Sequence, residues 1–189
     1  MGKVFPEIDA RNAAFIDRQK VFFVATAPLA EDGLVNLSPK GLESFRVLGP
    51  KRVAYLDLVG SGVETIAHAR ENGRITFMFC AFEGPPRILR LHGRARVVEP
   101  GDADWEELHA RFPRHSSARS IVVAEIERIA DSCGYGVPEY RFEKEREQLH
   151  QWAAKRGAEG LEAYKRDHNR ESLDGLPGLR RAGADDTRT

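Results

Sequence analysis

Residues 34–41, LVNLSPKG, end an alternating apolar run with a hydroxyl, a rigid bend and an ammonium side by side: Ser38, Pro39 and Lys40. A turn accounts for Pro39 and Gly41 but does not require the other two. Pro39 removes a backbone donor, Ser38 offers a hydroxyl and Lys40 a positive charge. Together they can seat a phosphate or the polar edge of a ring, although a solvated strand end is the plainer reading. A second stretch, LDLVGSGVET (56–65), loops out through Gly60, Ser61 and Gly62 before a helix begins near Val63. Backbone N–H groups at a helix start favour an anion, and Ser61 and Thr65 add hydroxyls. Simple capping by Ser61 is the other reading. No Gly-Lys-Ser/Thr follows, so this is not the phosphate loop of a nucleotide hydrolase.

Two further stretches carry candidate chemistry. In PPRILRLHG (85–93), alternation puts Ile88, Arg90 and His92 on one face and Leu89 and Leu91 on the other. Arg90 can therefore hold a ligand edge or pair with an acid on a barrel exterior. In SCGYGVP (132–138), glycines flank Tyr135, which lets backbone approach a flat ligand or makes a plain turn. His109 and His115 lack a recognisable metal-ligand spacing, and no metal is expected. Gly-x-Ser-x-Gly and His-Glu-x-x-His are both missing, and no residue is assigned a catalytic role.

The elements that must position these residues are mostly strands. VFFVATA (21–27), LVNLSP (34–39), RVAYLDL (52–58), RITFMFCAF (74–82), RILRLHGRARVVE (87–99) and SIVVAEIERI (120–129) read as strands. Gly93 inside the fifth predicts a bulge or sharp bend. Helices are predicted at 5–19, at 63–71 with a stop at Asn72-Gly73, and at 102–112. Connections are mostly too short for repeated βαβ units. The expectation is a mainly β fold: an antiparallel barrel of about six strands, closing its own edges, with short peripheral helices. Residues 1–140 form the barrel domain. Residues 141–189 form a helical extension, with helices at 141–156 and 158–168 and a turn-rich tail from 173, and are not an independent domain.

Composition bounds the partners. The 189 residues suffice for one domain, which buries roughly 70% of its unfolded surface. Lys plus Arg equals Asp plus Glu at 29 each, giving no electrostatic reason to expect nucleic acid or an anionic membrane. No apolar run is long enough to span a bilayer. VFFVATAPLA (21–30) mimics a signal-peptide core but follows an acidic segment, so it reads as a buried strand. Cys80 and Cys133 make no disulfide framework, and a reducing cytoplasmic location is expected.

In order, these features resemble the pyridoxamine 5′-phosphate oxidase-like family, the flavin-binding split barrels. The resemblance covers roughly residues 15–100, through ATAPLAEDGLVNLSPKG, VAYLD, Ser61 with its short helix, ENGRITFMF and LRLHGRARVVE. It implies a six-stranded antiparallel split barrel, a homodimer, and flavin mononucleotide (FMN) in clefts between the subunits. By position it lays the flavin ring along Asn36, Ser38, Pro39 and Lys40. It makes Tyr55 to Asp57 the next ring-facing strand, and assigns the phosphate to the turn containing Ser61, Gly62 and Thr65. Arg90 and Tyr135 complete the candidate cofactor-binding set, with Lys40 or Arg90 as donor to the flavin's pyrimidine edge. The Arg-Lys pair of the vitamin-B6 oxidase's phosphate turn is missing here. So are its glutamine near Ile88 and its C-terminal Trp- and Arg-containing motif. Glu64, beside the turn, is expected to point away along the helix. The implied activity is an FMN-dependent oxidoreductase of a divergent branch, moving hydride between flavin and a small organic substrate. The alternatives are a deazaflavin-dependent reductase, a non-catalytic flavin carrier or sensor, and a cofactor-free dimerisation module.

Overall fold

The computed structural model describes residues 2–180. Eight strands and four helices follow one another as β1 (Val4–Phe5), α1 (Ala10–Arg18), β2 (Phe22–Thr26), β3 (Asn36–Lys40), β4 (Phe45–Gly49), β5 (Arg52–Leu58), α2 (Glu64–Glu71), β6 (Arg74–Cys80), β7 (Ile88–Val98), α3 (Trp105–His109), β8 (Ala118–Ser132) and α4 (Gln148–His168). The strands form one antiparallel sheet in the order β3-β2-β6-β7-β8-β5-β4, with β1 pairing to β8. The expected mainly β fold is what the chain adopts. It has two strands more than the sequence reading, β1 and β4. The β4 segment FRVLG is half-buried throughout, so it lacks the alternation that announces a strand.

The two end strands explain why the barrel is split. A tight turn, Gly41–Ser44, joins β3 directly to β4, yet the two share no ladder. In that turn Leu42 and Glu43 both stand at positive φ, 58° and 52°. The Ser44 N–H and the Ser44 hydroxyl both donate to the Gly41 carbonyl, at 3.3 and 2.7 Å. Each non-glycine residue held there costs of order 1 kcal/mol. Side chains close the seam that backbone leaves open. Phe45 of β4 meets Phe22 of β2 edge-on at 5.0 Å between ring centres. Phe22 also touches Tyr55 and Phe79, and Phe45 touches Phe77 and Phe79. These rings lie in the main core with Val24, Leu89, Leu91, Val122 and Ile129. A second core packs α3 against the outer side of β5 and β8 through Ala54, Leu56, Trp105 and Ile121.

Local chemistry sets the element boundaries. Asp9 caps α1 by accepting from the Asn12 N–H at 2.7 Å, worth about 1 kcal/mol. The bulge expected at Gly93 is present: register shifts between His92 and Gly93. A side chain there would collide with the Glu125 carbonyl across the ladder. The helix expected at 102–112 shrinks to five residues. The one expected at 141–156 begins only at Gln148, and it runs on to His168 through a break at Gly157, whose φ is 66°. Residues 141–147 instead cross the surface as irregular chain, with Tyr140 stacked on Phe82 and Lys20 over the Phe142 ring.

The segment after α4 folds back on the barrel. Glu171 bridges Pro177, and the Gly175 and Leu176 N–H groups donate to Ser172, so residues 171–177 make a tight hairpin. Leu179 packs on Val63 and Ile66, while Ala153 and Leu161 of α4 pack on Val59. Residues 173–180, read from sequence as tail, are thus a folded strap. The rest of that expected tail, 181–189, lies outside the described residues. No helix among the described residues is long and apolar enough to cross a membrane. Cys80 is buried, Cys133 exposed, and both are free.

Candidate functional site

Strand pairing decides where the β3 residues face. Lys40, Ser38 and Asn36 pair with Phe22, Val24 and Thr26, whose side chains are buried in the barrel. All three polar residues therefore line the barrel's inner edge, two residues apart. Pro39 and Leu37 point outward. Across the interior, Tyr55 and Asp57 of β5 stand on the inner face, while Leu56 turns the other way into the second core. The Lys40 ammonium lies 3.6 Å from Asp57 Oδ1, so the strand end and β5 meet through charge.

Asp57 is 1% exposed and its main partner was not anticipated. Arg119, at the start of β8, donates through Nε to Asp57 Oδ2 at 2.6 Å. The same guanidinium donates to the Gly60 and Gly62 carbonyls at 3.3 and 2.7 Å, clamping the turn before α2. Burial by itself would raise the Asp57 carboxyl. Arg119 and then Lys40 outweigh it and hold the group below its ordinary value. Beside it the Tyr55 phenol is fully buried, and burial, reinforced by the Asp57 charge, pushes it well above its ordinary value. Tyr55 is thus a neutral phenol at working pH.

The turn itself answers the capping question. The residue preceding α2 is Val63, and no side chain caps the helix, so Ser61 is not a cap. Ser61 is exposed, and Gly62 half-exposed. Glu64 does not point away: it folds back, and a side chain on Gly62 would strike its carboxylate. That carboxylate sits where uncapped N–H groups favour negative charge. Thr65 is buried and accepts from Asn36 Nδ2 at 2.9 Å. Asn36 Nδ2 also donates to Thr26 Oγ1 at 3.0 Å, and Asn36 Oδ1 accepts from Ser38 at 3.2 Å. One hydrogen-bonded cluster thereby joins β2, β3 and α2.

Of the residues singled out from sequence, Asn36, Ser38, Lys40, Tyr55, Asp57 and Thr65 converge on the barrel's inner edge, with Ser61 and Gly62 at its rim. Arg90 does not join them. It lies on the outer face with His92, as alternation requires, and donates to Ser132 Oγ at 3.0 Å. Tyr135 stands 82% exposed in the loop after β8. The sequence reading missed Arg119, His68 and Asp174. Arg119 carried no local signal, because its partner lies 62 residues away. A groove of about 1180 Å³ opens beside Pro39 and Lys40, bounded by Val21, Phe82 and Phe142.

Three histidines titrate below their ordinary value of 6.5. Burial lowers His68 against the opposing pull of Asp174. Burial and the Arg128 and Arg90 charges lower His92. Burial and the neighbouring His150 and His109 lower His115, which stacks on His150 at 4.9 Å. The unfolded chain therefore binds more protons than the folded one below about pH 6.5, so stability rises with pH across that window. Urea midpoints are expected to be highest near neutrality and to fall from about pH 6.5 downward. A midpoint that holds level to about pH 5 is inconsistent with these three depressed imidazoles.

Comparison with known proteins places this architecture. A family model described as Pyridoxamine 5′-phosphate oxidase matches residues 8–133. The chain is 40% identical over 187 residues to the Pyridoxamine 5′-phosphate oxidase family protein ustO of Aspergillus flavus, covering 89% of this chain and 74% of that one. Among solved structures, a point variant of HupZ from Group A Streptococcus aligns with TM-score 0.52 at 23% identity, over 66% of this chain and 99% of its own. A Lactobacillus delbrueckii protein aligns with TM-score 0.51 at 18% identity, over 67% and 98%. At these identities the two structures establish the shared fold.

Proposed function

Because this chain belongs to the pyridoxamine 5′-phosphate oxidase family, we propose that it is a flavoprotein: it binds FMN and transfers hydride between the flavin and a small organic substrate. The observation that carries this reading is the inner-edge array. Asn36, Ser38 and Lys40 stand in a row on β3, and the uncapped start of α2 lies at one end of it. A flat ring with polar edges fits the row, and a phosphate fits the helix start.

The residues present suit that group. Lys40 is a partly exposed cation held by Asp57. It can neutralise charge on the ring's pyrimidine edge, the service a reduced flavin needs. The backbone N–H groups at Val63–Thr65 and the Ser61 hydroxyl would take the phosphate. Pro39 would present a backbone carbonyl without competing as a donor. When bound, the flavin supplies the redox chemistry, and the protein supplies position and electrostatics. The groove beside Lys40 offers space for a small substrate next to the ring. Arg90 and the outer faces of β6 and β7 would belong to a site shared with a second subunit in a homodimer, and Tyr135 would close over a ligand from its loop. A cytoplasmic location is in keeping with the free thiols.

The absorbance spectrum of the purified protein tests this directly. Oxidised-flavin bands are expected, in the pure protein or after adding FMN. A colourless protein that leaves added FMN free in solution ends the proposal. Glu64 gives a sharper check on the phosphate turn. Its carboxylate folds back toward Gly62 beside the uncapped start of α2, so Glu64→Gln is expected to tighten FMN by roughly fivefold, from like-charge repulsion of about 1 kcal/mol. Phosphate-free riboflavin should be unaffected. Equal gains for both flavins would place the phosphate elsewhere.

A further inference from the structure

Behind β3 lies a buried relay that the flavin reading does not use. His68 of α2 is fully buried. Its Nδ1 lies 2.9 Å from Thr26 Oγ1. Its Nε2, without a hydrogen-bond partner among the described residues, faces Asp174 Oδ2 at 3.8 Å. Asp174 sits in the strap's hairpin, and its two carboxylate oxygens accept from the Leu34 N–H at 3.2 and 3.1 Å. Asn169, which ends α4 just before the strap, donates to the Gly60 carbonyl at 2.9 Å. The strap and the helix end that leads into it therefore hold two parts of the site: the chain entering β3 and the turn before α2.

The hydrogen bonds have a fixed direction. Both N–H groups of the Asn36 amide are given to Thr26 and Thr65. The Asp174 carboxylate facing Nε2 is an acceptor, which keeps the imidazole proton on Nε2. Nδ1 is then itself an acceptor, and the Thr26 hydroxyl, which already accepts from Asn36, donates to it. At the other end, Asn36 Oδ1 takes the Ser38 proton. Ser38 is left with lone pairs alone, and it presents an acceptor to the barrel edge.

We propose that Asp174 and His68 are positioning residues of the ligand site: the strap sets the direction of the relay, and so makes Ser38 an acceptor for an N–H on the ring edge of the ligand. This rests on the flavin reading for the identity of the ligand, not for the relay itself. Protonated His68 would present N–H at both ring nitrogens, and Nδ1 could no longer accept from Thr26. The charged groups facing His68 are Asp174 from the strap and Glu64 and Glu71 from α2. Each favours the protonated ring, while burial opposes it. Ligand binding is therefore full where His68 is neutral and weakens as pH falls through its titration. Removing the Asp174 charge moves that weakening to lower pH.

The test uses the full chain with FMN as probe, titrated across a pH series in wild type, Asp174→Asn and His68→Asn. Asp174→Asn keeps the shape and removes the charge. His68→Asn keeps an acceptor for Thr26 and does not titrate. The wild-type dissociation constant is expected to rise roughly tenfold on acidification, the loss of about one hydrogen bond in the relay. Asp174→Asn should shift that rise to lower pH, and His68→Asn should flatten it. In the ligand-free protein, nitrogen NMR should show the proton on His68 Nε2, and Asp174→Asn should speed exchange of the Leu34 amide. The proposal is overturned if the His68→Asn profile follows wild type, or if the proton resides on Nδ1 and Leu34 exchange is unchanged. Should FMN fail to bind at all, the flavin reading falls, and the two ligand-free measurements still decide whether the strap directs the relay.

Discussion

Replacing Arg119 with leucine will destabilise the protein by about 3–5 kcal/mol, because it strands a buried carboxylate. Asp57 is 1% exposed, and Arg119 supplies its shortest contact. Lys40 at 3.6 Å and Ser120 at 3.4 Å remain, and neither replaces a charged hydrogen bond of 2.6 Å. The Gly60 and Gly62 carbonyls lose their donor as well, so the turn before α2 loosens along with the fold. The pH dependence has a definite sign. In the wild type the depressed Asp57 carboxyl contributes stability above its ordinary value of 3.8, and this is lost as pH falls through the folded value. The variant lacks that contribution, so the gap between the two proteins is widest at neutrality and narrows in acid. A second variant, Asp57→Leu with Arg119→Leu, should recover most of the loss, since an apolar pair leaves no charge stranded. Urea unfolding measures all three. A loss below about 1 kcal/mol for the single variant would mean that the clamp is not structural.

Phe22→Ala is expected to cost about 3–5 kcal/mol, the range for truncating a buried aromatic. The mechanism is more specific than a cavity. The strands β3 and β4 share no ladder, so beyond the Gly41–Ser44 turn no backbone pairing between them holds the barrel's seam. Phe22 bridges it, touching Phe45 across the seam and Tyr55 and Phe79 within. Without the ring, β4 keeps its pairing to β5 but loses its hold on β2. Hydrogen exchange should accordingly quicken in Phe45–Gly49 more than in β7, in addition to the fall in global stability. Phe22→Leu, which keeps most of the apolar volume, should cost less than half as much. Uniform quickening across the sheet would show that the seam is held by other contacts.

How much of this the sequence disclosed depends on the distance over which a signal acts. The alternation of Ile88, Arg90 and His92 against Leu89 and Leu91 survives intact, because a strand's two faces are set by the pleat alone. Asn36, Ser38 and Lys40 were legible for the same reason, and Lys40 does meet Asp57. Glu64 was misread because a flexible side chain beside uncapped N–H groups follows the local field, not the helical wheel. Arg119, His68 and Asp174 were invisible. Each acts on a partner brought near by the barrel's closure or by the strap's return, and nothing in ARSIVVAEI distinguishes a buried arginine from a surface one. The strap was concealed by its composition. SLDGLPG has the glycines and proline of a loose tail, yet those residues make the hairpin: Gly175 stands at φ 73°, and Gly178 packs where any side chain would strike Asn169 and Val63.

The strap also orders events during synthesis. Every strand of the sheet has been made once Ser132 is added, but Asp174 follows 42 residues later (174 − 132 = 42). At ribosomal speeds of about 5–20 residues per second, that is a delay of roughly 2–8 seconds. The Leu34 amide and the His68 imidazole wait out that interval without the carboxylate that joins them. A nascent barrel can therefore fold its core before its ligand edge is set, and on the proposed flavin reading cofactor capture is a late, post-assembly step instead of a template for folding.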